Sequence, residues 1–232
     1  MSVRNELGVA TTVHWHGLLV PGHADGEPQR KSSRTRPWRP MLSMTSRPRR
    51  SGIILIRITR AVDKAVTELG GIDILINSAA IGYYGPITEL DLGEYQKLMD
   101  VNVRGPMLFA KAVIPHLHAG GRIVTIGSGL AERVPFPGIT AYAVSKAALT
   151  AFTRGLSREL GPSGIAVNLV QPGSTDTDAN PADGDTADFQ RGMTSLGRYA
   201  EPREIANAAV FLASPAASVT GAILNADAGA LA

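Results

Sequence analysis

The chain has 232 residues with 44% hydrophobic and 19% charged side chains, which suits one large α/β core and excludes a wholly disordered or coiled-coil protein. It has no cysteine, which excludes disulfide scaffolds, thiolate zinc sites and cysteine nucleophiles. The net charge of +3 arises in residues 29–60, which carry ten basic and no acidic side chains. No run approaches the ~18 apolar residues of a membrane-spanning helix, so we expect a cytoplasmic protein.

The first segment, residues 1–29, contains His14 and His16 in an HWHG stretch that precedes a Pro-Gly and an Asp-Gly turn. On a strand both imidazoles would point to one face and could reach one metal. The stretch resembles the first copper-binding motif of multicopper oxidases (laccases), so we interpret residues 1–29 as a fragment of that type. That family also needs a cysteine ligand and several more His-x-His pairs, whereas this chain has five histidines in all. We therefore expect no resident metal, and copper-dependent phenol oxidation is the least favoured function.

The second segment, residues 30–51, is rich in Arg, Ser and Pro and has no amphipathic period. Three prolines interrupt it, and Trp38 is its only aromatic side chain that could stack on a base. We predict a disordered segment that does not bind nucleic acid. A salt-sensitive affinity for DNA or RNA is the alternative, because clustered arginines neutralise phosphates.

The third segment, residues 52–232, alternates apolar runs with amphipathic stretches. Strands are predicted at 53–58, 72–76, 122–126, 166–170 and 222–225, and helices at 61–69, 92–118, 141–160 and 202–213. Strands that are apolar throughout and alternate with helices indicate a parallel sheet covered on both faces. The segment is therefore predicted to be a doubly wound, Rossmann-like α/β domain.

In such sheets ligands bind beyond the carboxyl ends of the strands. Polar or glycine-rich loops follow three predicted strands, at 77–80, 127–129 and 171–177. Tyr142 and Lys146 lie four residues apart, hence on one face of the helix between the last two loops. A neighbouring ammonium favours the phenolate, so we predict a Tyr142 pKa below the usual value of about 10. Tyr142 could then exchange a proton with a carbonyl or alcohol oxygen, to which Ser128 would donate a hydrogen bond.

Taken in order, these features resemble the C-terminal two thirds of a classical short-chain dehydrogenase/reductase, over about residues 60–232. The matching features are NSAA at 77–80, Asn102, Ser128, Tyr142 with Lys146, the Pro-Gly pair at 172–173 and the final LNADAG at 224–229. The resemblance implies an NAD- or NADP-dependent oxidoreductase that transfers hydride to or from a small carbonyl or alcohol, with Tyr142 as acid/base. It also implies a homo-dimer or tetramer.

The resemblance implies roles for individual residues. The catalytic set is Asn102, Ser128, Tyr142 and Lys146, with Asn102 holding a water that passes protons to Lys146. The cofactor contacts are Asn77, Ala79, Tyr142, Lys146, Pro172, Gly173, Thr175 and Thr177. Ala80 and Ala228 stand where the family usually has glycine.

One part of the family pattern is missing. The chain contains none of the glycine-rich motifs T-G-x-x-x-G-x-G, G-x-G-x-x-G and G-x-x-x-x-G-K. The turn that would hold the pyrophosphate is therefore missing, and so is the residue that would select NAD or NADP. We thus expect a domain that lacks the first βαβαβ half, with 53–58 as the only evident partner for the exposed strand 72–76. Two hypotheses stay open: a dehydrogenase/reductase of impaired activity, and a non-catalytic nucleotide-binding remnant. For the latter, PGSTDTDANPADG (172–184) resembles a subgroup that includes a cyclic di-GMP-binding protein.

Overall fold

The computed structural model describes the backbone of residues 12–14, 51–214 and 218–232, and the side chains of residues 58–214 and 218–232. The strands are β1 (Thr12–His14), β2 (Ile74–Asn77), β3 (Arg122–Ile126), β4 (Ala166–Pro172) and β5 (Ile223–Ala226). The helices are α1 (Ser51–Leu69), α2 (Leu92–Met99), α3 (Gly105–Val113), α4 (Thr140–Leu160), α5 (Ala187–Gly192) and α6 (Pro202–Ala213). The predicted alternation of strands and helices is confirmed from residue 72 onward.

The described strands form one parallel sheet in the order β1-β2-β3-β4-β5. The central strand β3 pairs Ile123 with Leu75 of β2 and with Val167 of β4. Since all strands run in the same direction, the loops after β2, β3 and β4 leave from one edge of the sheet. The strand order follows the chain without a reversal over the described residues, which fits the predicted half of a doubly wound sheet.

The two faces of the sheet are covered by different helices, because successive strand side chains point to opposite sides. Leu75 and Ile123 pack with α1, α3 and α4 on one face. Ile74 and Val124 pack with α6 on the other. Each fully buried Leu or Ile contributes about 1.5–3 kcal/mol to folding, so both layers are needed for a stable sheet. Among the helices of the described part, none is both long and apolar enough to cross a bilayer.

The prediction of a strand over 53–58 is wrong, because these residues belong to α1. No turn residue separates the apolar run from the amphipathic stretch that follows it. Ile58, Val62 and Ala65 recur at helical spacing and are buried against β2 and α3. A short apolar run does not by itself distinguish a strand from a buried helix, and tertiary burial of one helical face decides the question here.

The predicted partner of the exposed strand is therefore also wrong. β2 pairs in parallel with β1, with Val13 opposite Ile76, and not with residues 53–58. β1 comes from the segment whose HWHG motif suggested a metal site, so that segment supplies a strand to the sheet. The pairing satisfies backbone groups of β2 that would otherwise lie open at the edge.

The helix predicted over 92–118 is interrupted. A π-helical turn over Asp100–Arg104 separates α2 from α3, and the Gly105 N–H donates to the carbonyl of Asp100, five residues earlier. Pro106 explains the break, because proline has no N–H for the carbonyl of Asn102, its α-helical partner. The turn carries Asn102 into the interior, where it is 1% exposed.

Ala228 is the only non-glycine residue with a positive φ, 55°, in the described part of the chain. An L-residue is strained there by about 1 kcal/mol, and the resemblance above has glycine at this position. We expect Ala228→Gly to raise the free energy of unfolding by about 0.5 kcal/mol net of the added backbone entropy, and Tm by about 1–2 °C. Ala230→Gly is the control for thermal unfolding: it relieves no strain and should lower Tm. A lower Tm for Ala228→Gly would contradict the argument.

Candidate active site

Helix α4 carries the Tyr142 and Lys146 pair at the carboxyl edge of the sheet. Lys146 is 2% exposed and Tyr142 is half-buried. The Lys146 Nζ lies 5.7 Å from the centroid of the Tyr142 ring. Its one hydrogen-bond acceptor is the carbonyl oxygen of Ile126, at the end of β3 and 3.5 Å away. The ammonium is thus buried with one weak partner over the described residues.

Burial dominates the pKa values of this pair. It lowers the pKa of Lys146 to about 8, because the charged form loses its hydration. Burial also raises the pKa of Tyr142 above its usual 10, and a hydrogen bond with Ser128 opposes that effect. The predicted lowering of the Tyr142 pKa is therefore wrong, because desolvation of the phenolate is the dominant cause of the shift. The phenol is neutral at pH 7 and can donate a proton.

Ser128 follows β3 and faces the phenol of Tyr142. It is 9% exposed, and its Oγ accepts a hydrogen bond from the Leu130 N–H at 3.2 Å. A further hydrogen bond joins its hydroxyl to Tyr142. The structure thus brings together three of the four residues in the predicted catalytic set, as parallel strands with a covering helix require.

Asn102 is linked to this group through α4. Its Nδ2 donates to the carbonyl of Ile81 at 2.9 Å and to Ser145 Oγ at 3.0 Å, while its Oδ1 accepts from the Ile81 N–H at 2.9 Å. Ser145 Oγ in turn donates to the carbonyl of Tyr142 at 2.7 Å. Both amide hydrogens of Asn102 are used in these contacts. The side chain therefore ties the loop after β2 to α4, and has no N–H left for a water.

The end of β4 and the loop after it hold four of the predicted cofactor contacts. Pro172 ends the strand, and a Cβ on Gly173 would lie 2.7 Å from the Asp227 carbonyl oxygen, so only glycine fits there. The Thr175 hydroxyl donates to the Gly173 carbonyl at 3.1 Å. Thr177 is exposed and closes a tight backbone turn with residue 180.

Two predicted contacts lie at the end of β2 and just beyond it. Asn77 is 9% exposed and donates to Thr125 Oγ1 at 3.3 Å, its register partner on β3. Ala79 is partly exposed in the loop beyond it. Both lie at the same edge of the sheet as the Tyr142 pair.

The sequence analysis missed several residues at this edge. They are Ser145, Tyr84, Phe136 and Phe189. Gln171, which the sequence analysis placed in the loop 171–177, belongs instead to β4. Gln171 is fully buried in β4, and neither its amide nitrogen nor its carbonyl oxygen has a hydrogen-bond partner in the described structure. The available signal was position, because the polar and aromatic residues of loops that follow parallel strands gather at one edge.

His16 and the side chain of His14 lie outside the described residues. Where side chains are described, no group of three His, Cys, Asp or Glu residues could hold a metal ion.

Comparison with known proteins gives the family. The family model for enoyl-(acyl carrier protein) reductases matches residues 56–230. The chain is 41% identical over 168 residues to the cyclic-di-GMP-binding biofilm dispersal mediator protein of Escherichia coli, covering 72% of this chain and 71% of that protein. It is 42% identical over 182 residues to the 3-alpha-(or 20-beta)-hydroxysteroid dehydrogenase of Mycobacterium bovis, covering 75% of this chain and 66% of that enzyme.

Solved structures agree with this result. A short-chain dehydrogenase from Burkholderia cenocepacia in complex with NADP is 44% identical, with a TM-score of 0.75 over 77% of this chain and 73% of that one. The parallel sheet with helices on both faces defines a Rossmann-like α/β domain. The chain belongs to the short-chain dehydrogenase/reductase family.

Proposed function

We propose that this chain is an NAD(P)-dependent dehydrogenase/reductase of small carbonyl or alcohol substrates. The observation that carries the proposal is the grouping of Ser128, Tyr142 and Lys146 at the carboxyl edge of the sheet. A hydroxyl donor, a neutral phenol and a buried ammonium are the groups that proton exchange at a carbonyl oxygen requires.

In the direction of reduction, Tyr142 donates its proton to the carbonyl oxygen as negative charge develops there. The Ser128 hydroxyl, already hydrogen-bonded to the phenol, turns to the same oxygen and stabilises that charge. The Lys146 ammonium stabilises the phenolate left behind. A bound nicotinamide cofactor supplies or accepts the hydride.

Asn102 has a positioning role in this proposal. Its side chain fixes the loop at Ile81 and, through Ser145, the first turns of α4 that carry Tyr142. A water relay to Lys146 would use the main-chain carbonyl of Asn102, because Pro106 cannot donate to it.

The nicotinamide end of a cofactor fits these residues. The Lys146 ammonium is a buried donor with one weak partner in the described structure, and ribose hydroxyls would satisfy it. The close approach of Gly173 to Asp227 holds the loop of Pro172, Thr175 and Thr177, which would contact the carboxamide. The solved relative in complex with NADP supports a nicotinamide cofactor here.

The pyrophosphate end is less well provided for. The strand beside β2 is β1. Its last residue, His14, begins the sequence HWHG, where a glycine-rich turn would be expected. Such a turn is what brings backbone N–H groups close to the phosphates. We therefore propose weakened cofactor binding and impaired activity compared with family members that carry the glycine-rich turn.

A titration of the full chain with NADPH and NADH tests the proposal by nicotinamide fluorescence. We expect saturable binding of at least one cofactor below about 1 mM. Lys146→Met should weaken it, whereas Lys111→Met, on the exposed face of α3, should not. No saturation at millimolar concentration of either cofactor would refute the dehydrogenase proposal.

The second candidate is nucleotide binding without catalysis. The biofilm dispersal relative, whose name gives it cyclic di-GMP binding, supports it. Equilibrium dialysis of cyclic di-GMP against the full chain decides between the two. Binding of cyclic di-GMP without cofactor-dependent turnover would favour this candidate. A homo-dimer or tetramer, as the family resemblance implies, fits either function.

A further inference from the structure

Three aromatic side chains form a cluster at the carboxyl edge of the sheet. Tyr84 lies in the loop after β2, Phe136 in the loop after β3, and Phe189 on α5 after β4. The ring centroids of Tyr84 and Phe136 are 6.3 Å apart, and those of Phe136 and Phe189 are 5.9 Å apart in an edge-to-face arrangement. Three separate loops thus contribute one ring each to what we call the aromatic cluster.

The loops that carry the rings are tied together by the backbone. The Gly85 N–H donates to the carbonyl of Gly138 at 2.8 Å, which joins the loop after β2 to the loop after β3. Phe136 lies between Ser128 and Tyr142 in the sequence, on the loop that leads from β3 to α4. The aromatic cluster is therefore joined to the segment that links the two proposed reacting hydroxyls.

Gln190 fixes the third loop. It accepts a hydrogen bond from Ser174 Oγ at 2.7 Å and exchanges bonds with Asn180 at 3.0 and 2.8 Å. Its neighbour Phe189 thus lies on a helix that these bonds anchor to the loop after β4. Rings held in this way lose little entropy when a ligand packs on them.

The rings remain open to a ligand in spite of their mutual contacts. Tyr84 is 74% exposed and Phe189 is 55% exposed. The charged neighbour of Phe189, Asp188, pairs with Arg191 at 2.6 Å, so its charge is partly neutralised. Large exposed rings bind an apolar, planar partner most favourably, because such a partner can stack on them or pack edge-on against them.

We propose that the aromatic cluster binds the ring of an uncharged aryl ketone, or of the corresponding aryl carbinol, with the carbonyl at Tyr142. This proposal rests on the dehydrogenase/reductase function proposed above. On reduction the carbonyl carbon gains a hydride from the nicotinamide cofactor, and its oxygen gains the proton of the Tyr142 phenol. The product is a secondary alcohol.

The first test compares acetophenone with 2-butanone in cofactor-dependent turnover. We expect kcat/KM for acetophenone to exceed that for 2-butanone by about tenfold. Phe189→Leu should lower the value for acetophenone by about tenfold and the value for 2-butanone by less than about twofold. Phe211→Leu, on α6 and 54% exposed, is the matched control and should change neither. An equal loss for both ketones, or no preference in the wild type, would overturn the proposal.

The second test is independent of turnover. Saturation-transfer NMR of acetophenone with the full chain should show transfer to the phenyl protons, lost in Phe189→Leu and kept in Phe211→Leu. If no ketone is reduced but the NMR signals follow this pattern, the proposed dehydrogenase/reductase function is wrong and the aromatic binding site is supported. Absence of transfer to wild type would overturn the site, as would a change in sedimentation velocity caused by Phe189→Leu, which would indicate a subunit interface.

Discussion

Tyr142→Phe is expected to lower carbonyl reduction by about 10²–10⁴-fold while cofactor binding stays within about twofold of wild type. The variant keeps the ring that packs beside Lys146 and removes only the hydroxyl that donates the proton. The reduction rate at saturating cofactor, followed by loss of nicotinamide absorbance, measures the first effect, and the fluorescence titration measures the second.

Tyr95→Phe is the matched control, because Tyr95 is a half-buried tyrosine on α2 that takes no part in the site. It should keep the wild-type rate. If Tyr142→Phe retained more than about a tenth of the rate, another group would supply the proton and the proposed role of Tyr142 would be wrong.

Lys146→Met is expected to stabilise the fold at pH 7 by about 3 kcal/mol while it abolishes turnover. In the folded chain the Lys146 pKa is lowered from 10.5 to about 8, since burial removes the hydration of the ammonium. The unfolded chain therefore binds more protons between pH 8 and 10.5. The free-energy cost of burying the Lys146 ammonium is fully present below pH 8 and declines as the pH rises towards 10.5.

Denaturant unfolding at pH 7 and pH 9.5 measures this effect. The wild type should gain stability over that interval, and Lys146→Met should not, because the variant has no ammonium to desolvate. The raised pKa of Tyr142 lowers the stability of the folded chain only above about pH 10, because there the phenol ionises in the unfolded chain first. Lys111→Met should follow the wild-type profile. A Lys146→Met variant less stable than wild type at pH 7 would show that the ammonium has stabilising partners.

The sequence alone determined the central and C-terminal layers of the fold. Residues 122–126 and 166–170 are mainly apolar runs of strand length, and the structure extends the second strand to Pro172. The helix over 202–213 begins at a proline after a glutamate cap, and its observed bounds equal the predicted ones. Such local signals need no knowledge of distant contacts, and the four-residue spacing of Tyr142 and Lys146 on a helix is equally local.

Only the tertiary structure decided which element each ambiguous segment became and what surrounds the site. Residues 53–58 join a helix because Ile58 faces a core built by β2 and α3, and β1 closes the edge of β2 from about sixty residues away. The pKa of Tyr142 rises because the phenol is buried, which the spacing of Tyr142 and Lys146 does not reveal. The aromatic cluster likewise exists only when parallel strands bring three loops to one edge.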